Sequence, residues 1–438
     1  MELPPREQLE ITVLGPAEVP SPLHTSRAAF ANEDARVLLS SDTRDMQETL
    51  AGGGELPSFE HAGPRRRIFF HPERTTGAIV TCGGLCPGLN DVVRAITLTL
   101  HHHYRVPRVL GFRYGFAGLA PDTEHAPIEL TPQVVNRIHE DGGTILGSSR
   151  GPQPPEAMAD TLERLGVSIL FAVGGDGTMH GALALQQELA RREAPIAVVC
   201  VPKTIDNDLP WIERSFGFTT AVEEARKAVM AAHVEATGAW NGVGIVKLMG
   251  RQSGFIAAHA TLATADVNFC LVPEHPFELE GPAGLYAAVE RRLDERHHAV
   301  IVVAEGAGQD MLQDSEHAER DPSGNIVLKD VGTFLRDGIK KHFAAAGKEV
   351  TVKYIDPSYM IRSLPANSLD SEFCLILGQH AVHAGMSGRT GLLIGRWNGH
   401  SVHVPLTLGV SERRRLPESA WLRVLETTGQ PPLVCSAS

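Results

Sequence analysis

Ser168-Ile169-Leu170-Phe171-Ala172-Val173 runs straight into Gly174-Gly175-Asp176-Gly177-Thr178. The first six residues are almost wholly apolar and show no in–out alternation. That is the signature of a strand covered on both faces. Glycines then break the strand, and Thr178 opens a helical stretch. A buried strand that feeds a glycine turn and a helix is the repeating unit of a parallel α/β sheet.

The same alternation starts at Thr76. Further strands are expected at Ala78–Thr81, Val109–Phe112, Ile196–Val201, Gly244–Lys247, Phe269–Val272, Ala299–Ala304, Glu349–Ile355 and Gly391–Ile394. Helical stretches between them include Ala221–Glu235, Ala283–Glu295 and Ser371–His383. About nine strands are too many for one doubly wound unit. The expected fold class is therefore α/β, with two Rossmann-like parallel-sheet domains, a cleft between them and an N-terminal extension. Loops at the carboxyl ends of the strands would line the cleft.

Residues 1–75 read differently. They are rich in Pro, Gly, Glu and Arg, with one short strand candidate at Ile11–Leu14. Arg65-Arg66-Arg67 reads as a solvated turn. From Gly306 to about Asp330 the chain is polar and aperiodic, which suggests a long surface loop.

The 438 residues have room for two or three domains. A formal net charge of −12 disfavours a nucleic-acid partner. It leaves anionic small substrates open, because local Lys and Arg can overrule the global sign. No apolar run has the length of a membrane span. The N-terminus has no apolar signal core, and six scattered Cys fit a reducing cytoplasm, so a cytoplasmic enzyme is expected.

Four loops at strand ends carry candidate chemistry. Thr81-Cys82-Gly83-Gly84-Leu85-Cys86-Pro87-Gly88-Leu89-Asn90 could turn backbone N–H groups toward an anion at a helix start. Its two Cys have no second pair, so packing is the better reading of them. In Gly174–Thr178, a carboxylate flanked by glycines can hold Mg²⁺ while the glycines admit phosphate oxygens. Pro202-Lys203-Thr204-Ile205-Asp206-Asn207-Asp208 sets two carboxylates beside a Lys and a Thr. One Asp could take the proton of an attacking hydroxyl while Lys203 neutralises phosphate charge. Gly142-Gly143-Thr144-Ile145-Leu146-Gly147-Ser148-Ser149-Arg150 ends in an Arg able to clamp a phosphate. Further cations follow in Lys247-Leu248-Met249-Gly250-Arg251 and in Lys353–Arg362.

Taken in order, CGGLCPGLN, GGTILGSSR, VGGDGT, PKTIDND, KLMGR, VPE and KYIDPSYMIR resemble the 6-phosphofructokinase family over roughly residues 66–410. The pairing of GGDGT with PKTIDND resembles its long-chain ATP-dependent branch. The resemblance implies MgATP as donor and fructose 6-phosphate as acceptor in a glycolytic kinase. It implies Asp206 as base, Asp208 as its supporting carboxylate, and Thr204 and Arg251 as contacts to the transferring group. Asp176 would hold Mg²⁺. Gly84, Arg150, Gly175, Gly177, Thr178 and Lys203 would surround the donor phosphates. Thr204, Ile205, Asp206, Met249, Gly250, Arg251, Glu274, Lys353, Tyr359 and Arg362 would hold the sugar phosphate, with Glu274 on its hydroxyls.

The same likeness implies a nucleotide-binding domain over 76–219 plus about 360–405. It implies a sugar-phosphate domain over 220–359 plus about 406–438. It further implies a homotetramer or homodimer and an allosteric enzyme whose effector contacts do not transfer.

Donor choice divides the family. Pyrophosphate users typically carry Asp where this chain has Gly177, and that side chain would collide with the α-phosphate of ATP. Lys203 is shared with pyrophosphate users, so a pyrophosphate-dependent phosphotransferase is the alternative. The steric argument at Gly177 outweighs it. Two departures stand out. Gly242 occupies the position of an Arg that short members lend across a subunit interface, which leaves Lys247 to help with the 6-phosphate. Phe116 replaces a Tyr near the nucleotide.

Overall fold

The computed structural model describes residues 4–25, 30–121, 124–312, 319–320 and 326–434. The middle of the polar loop expected between Gly306 and Asp330 lies outside these residues, as does Cys435. The chain forms two compact units. The first comprises Met1–Thr204, Leu209–Gly217 and Ser363–Arg413; the second comprises Ile205–Asp208, Phe218–Arg362 and Arg414–Ser438.

A nine-stranded sheet organises the first unit. Its centre is parallel, in the order Leu392–Trp397, Ala197–Pro202, Ile169–Gly174, Thr76–Thr81 and Arg108–Phe112. Every residue of Ile169–Gly174 and Ala197–Pro202 is buried, which explains their unbroken apolar sequence. The helices Asp176–Arg191 and Ser368–Met386 are among the elements packed on this sheet.

Antiparallel strands extend one side of that centre. His400–Pro405 pairs with Leu392–Trp397, then Ser58–His61 and Arg36–Leu38 follow outward. Two of these strands come from the N-terminal 75 residues. They are short and carry charge, so they lack the apolar run that marks a central strand.

The charge they carry is spent internally. Arg65, expected in a solvated turn, is 1% exposed and donates to Glu60 Oε1 at 2.6 Å. Arg389 donates to the same oxygen at 2.5 Å, and His403 Nδ1 lies 3.4 Å away. Burial alone would raise the Glu60 pKa. The neighbouring His403 ring and the Arg389 and Arg65 guanidiniums outweigh it and bring it down to about 2. Arg67 does face solvent, yet it is bonded to the carbonyls of Ala17 and Glu18.

Glu60 therefore fastens the edge strands to the sheet. Because its folded pKa is depressed, its contribution is complete above the unfolded value of 4.5 and is lost as pH falls toward 2. Glu60→Gln should cost about 2 kcal/mol, the scale of hydrogen bonds to charged groups. A lower urea midpoint at pH 7 would register it, and the gap from the parent should close between about pH 4.5 and 2.

The second unit is built on a four-stranded parallel sheet in the order Phe269–Leu271, His298–Ala304, Gly242–Leu248 and Thr351–Ile355. The helix Phe218–Thr237 lies close on the strand Gly242–Leu248. A Cβ at Gly242 would sit 2.0 Å from the Ala236 carbonyl oxygen, and one at Gly244 would sit 2.6 Å from that of Ala232. No side chain fits at Gly242, so the Arg of short family members has no room there. Among the described residues, no helix is long and apolar enough to cross a membrane.

Candidate active site

Three loops leave the first sheet at one level, because Val173 is the register partner of both Thr81 and Val201. The Gly-rich loop after Thr81 turns at Gly83, where φ is 85°. Its Gly83 N–H donates to the Ser149 carbonyl at 3.0 Å, and Ser148 Oγ donates to the Gly83 carbonyl at 2.6 Å. The loop that ends in Arg150 is thereby laced to the Gly-rich loop, and Arg150 itself is exposed. Cys82 and Cys86 are buried free thiols; burial pushes Cys82 up to about 12, and Cys86 Sγ donates to the Phe216 carbonyl at 3.2 Å. Both are packing residues.

Lys203 is 6% exposed, and its Nζ donates to the Gly84 carbonyl at 2.7 Å. Its own N–H donates to the Gly174 carbonyl at 2.9 Å. So one ammonium braces the Gly-rich loop, and its backbone fixes the GGDGT loop. Thr204 follows, with its carbonyl taking the Ser215 hydroxyl at 2.5 Å.

In the GGDGT loop each glycine has its own reason. A Cβ at Gly174 would lie 2.0 Å from Thr178 Oγ1, so close packing demands glycine there. Gly175 caps the helix, and the buried Thr178 donates its N–H back to the Gly175 carbonyl at 2.9 Å. Gly177 is exposed, and a Cβ added to it would meet nothing within 4 Å. Packing does not require glycine at that position. Phe116, by contrast, is buried in the core against Gly181 and is no surface ring for a nucleotide.

Asp176 is the first residue of the helix Asp176–Arg191, where the helix dipole favours a carboxylate. Its Oδ2 accepts from Arg413 Nη2 at 2.9 Å, and its Oδ1 lies 3.5 Å from His180 Nδ1. Among the described residues, no group of three or more His, Cys, Asp and Glu is placed so that it could hold a metal ion. Mg²⁺ needs no such cage, because it is commonly held by one or two carboxylates with phosphate oxygens and water. Asp176 fits that role.

The second unit holds the other group. Asn207 takes φ 55°, a left-handed value that Asn tolerates, and so turns the chain between Asp206 and Asp208. Ser253 Oγ donates to the Asp206 carbonyl at 3.2 Å, and Arg414 N–H donates to the Asp208 carbonyl at 2.8 Å. Ile205 and Asp208 are buried, while Asp206 is half-buried. Beyond the strand Gly242–Leu248, Met249 is half-buried and Gly250 has φ 134°; a Cβ there would lie 2.4 Å from the Ser253 carbonyl oxygen. Arg251 follows, with Nη1 donating to the Ile326 carbonyl at 3.0 Å.

Glu305 was absent from the sequence expectations. It comes directly after the strand His298–Ala304, and its N–H donates to the Leu248 carbonyl at 2.8 Å. Burial raises its pKa, against the pull of the charges of Arg251, Lys247 and Arg362 and a backbone hydrogen bond from Gly250. A buried carboxyl at a strand end that feels three cations is a candidate site residue. The signal was present in the sequence: a charged residue followed by Gly306, at the end of the apolar run Ala299–Ala304.

Several expected contacts lie elsewhere. Both oxygens of Glu274 accept from Gly254 N–H at 3.0 Å, and Oε1 also accepts from Leu416 N–H at 2.8 Å. Glu274 thus caps the helix Phe255–Thr264. Lys353 Nζ is 3.8 Å from Glu235, in the last turn of Phe218–Thr237, away from the carboxyl end of its strand. Lys247 is held at 2.8 Å by Asp356 and at 3.5 Å by Asp330. Tyr359 is 74% exposed, and the Arg362 guanidinium stacks 5.0 Å from its ring centre.

The phosphofructokinase family model matches residues 76–385. An ATP-dependent 6-phosphofructokinase of Borreliella burgdorferi is 49% identical, covering 92% of this chain and 91% of that protein. One from Amycolatopsis methanolica is 48% identical, covering 97% and 95%. One from Trypanosoma brucei brucei is 48% identical, covering 97% and 88%. Among solved structures, a pyrophosphate-dependent phosphofructokinase from Marinobacter aquaeolei aligns with TM-score 0.66 at 20% identity, covering 83% of this chain and 92% of that one. Phosphofructokinase from Pichia pastoris aligns with TM-score 0.63 at 21% identity, covering 85% and 38%. The two structural likenesses speak for the fold alone.

Proposed function

The chain belongs to the phosphofructokinase family, and we propose that it is an ATP-dependent 6-phosphofructokinase, transferring the γ-phosphoryl group of MgATP to the 1-hydroxyl of fructose 6-phosphate. The observation that carries the choice of donor is the open space at Gly177, where an added Cβ meets nothing within 4 Å. The relatives named ATP-dependent, at 48–49% identity over most of the chain, support the same reading.

The two groups of residues divide the work. On the donor side, Asp176 is the carboxylate for Mg²⁺, and Gly84, Gly175, Gly177, Thr178 and Arg150 border the phosphates. Bound Mg²⁺ would neutralise charge on the transferring phosphoryl group. Lys203 acts through the Gly84 carbonyl, holding the loop in place. On the acceptor side, Asp206 takes the proton of the 1-hydroxyl as its oxygen attacks the γ-phosphorus. The bond to the β-phosphate oxygen breaks and ADP departs. Thr204 and Arg251 meet the negative charge spread over the transferring group. Asp208 holds the turn, while Met249, Gly250, Tyr359 and Arg362 bind the sugar phosphate. Glu305 replaces Glu274 as the partner of the sugar hydroxyls, because Glu274 is occupied as a helix cap. We place the active enzyme in the cytoplasm as a homotetramer.

The test is an assay of fructose 6-phosphate with ATP or pyrophosphate as donor. Turnover with pyrophosphate alone would overturn the proposal. Glu305→Gln should raise KM for fructose 6-phosphate about tenfold, since one hydrogen bond to a charged group is worth about 1.5 kcal/mol. KM for ATP should stay within twofold or so of the parent; if it rises equally, Glu305 is a structural residue.

A further inference from the structure

The run Ser411-Glu412-Arg413-Arg414-Arg415 had no role in the sequence reading, yet two of its arginines are individually committed. In the first unit, Arg413 donates from Nη2 to Asp176 Oδ2 at 2.9 Å. Each side chain of that pair is only about 30% exposed, at 29% and 30%. In the second unit, Arg414 stacks on the Phe255 ring at 5.0 Å, and its N–H holds the Asp208 carbonyl at 2.8 Å.

We propose that Arg413 is a positioning residue for the donor half of the site. By taking Oδ2 it fixes the carboxylate torsion and leaves Oδ1 as the ligand atom for the cation. Oδ1 lies on the side of His180, whose side chain is 56% exposed, 3.5 Å away. A monodentate carboxylate whose second oxygen is bound by a partner is the usual arrangement around a catalytic cation. The guanidinium keeps its charge at any working pH, so this support does not titrate. The inference rests on the reading of Asp176 as the Mg²⁺ carboxylate and adds to it the residue that holds it in place.

The experiment uses the full chain with Mn²⁺ as probe, titrated in the presence of a non-hydrolysable ATP analogue and read by electron paramagnetic resonance. Arg413→Ala should weaken Mn²⁺ binding about tenfold or more, the usual cost of losing such a partner. The Mg²⁺ requirement and KM for ATP should rise with it. KM for fructose 6-phosphate and the melting temperature should not move, and Arg413→Lys should recover part of the loss. Unchanged or tighter Mn²⁺ binding in Arg413→Ala overturns the inference, as does an equal loss of affinity for both substrates with a lowered melting temperature. Asp176→Asn separates the two readings. If it binds Mn²⁺ like the parent, the assignment of the metal carboxylate fails. If it loses Mn²⁺ while Arg413→Ala does not, only the role of Arg413 fails.

Discussion

Asp206→Ser should lower kcat by roughly 10²-fold or more, the usual worth of a general base, with both substrates still bound. The variant removes the carboxylate and keeps a short polar side chain. It leaves intact what shapes the turn: Asn207 at φ 55°, and the hydrogen bonds to the carbonyls of residues 206 and 208, which are backbone features. Binding of fructose 6-phosphate should therefore change little. Calorimetric titration of the variant with each substrate, beside steady-state kinetics, gives the two numbers needed. Near-native turnover would remove Asp206 from its role. A parallel collapse of binding would instead mark it as a residue that holds the site together.

Gly177→Asp should weaken ATP by roughly 10²-fold and leave fructose 6-phosphate nearly untouched, as about 3 kcal/mol of lost binding implies. The fold should accept the change. The position is exposed, nothing lies within 4 Å of an added Cβ, and it falls in the first turn of the helix Asp176–Arg191, where an acidic residue is favourable. The effect is thus confined to the ligand. A carboxylate would occupy space assigned to the nucleotide and repel its phosphates; two like charges at 4 Å cost about 4 kcal/mol at an effective dielectric of 20. Equal ATP affinity in this variant, measured by direct binding, would break the steric account of donor choice.

The second sheet and the parallel centre of the first were readable because their strands are apolar on both faces. Val173, Val201, Leu248 and Ala304 each end such a run, and the residues that follow them are those proposed to carry the chemistry. The edge strands Arg36–Leu38 and Ser58–His61 were not readable. Their sequence is short and charged, and Glu60 is held there by Arg65, five residues on, and by Arg389 from a distant part of the chain. Arg65 looked like a surface residue for the same reason. A sequence window shows its charge and not its partner.

The site divides along a similar line. Local sequence determined the turns: where a strand stops, which glycine permits a close approach, and where a carboxylate caps a helix. GGDGT, PKTIDND and KLMGR are of this kind, because each places its residues through backbone geometry within a few positions. Only the tertiary structure decided how long side chains are used. Glu274 and Glu305 both follow apolar strands, yet one is tied to the start of the helix Phe255–Thr264, while the other feels the charges of Arg251, Lys247 and Arg362. Lys203 turned to Gly84, Lys353 to Glu235 and Arg413 to Asp176. A flexible charged side chain is held by whichever opposite charge or carbonyl the fold brings within about 3–4 Å, and that neighbour is distant in sequence.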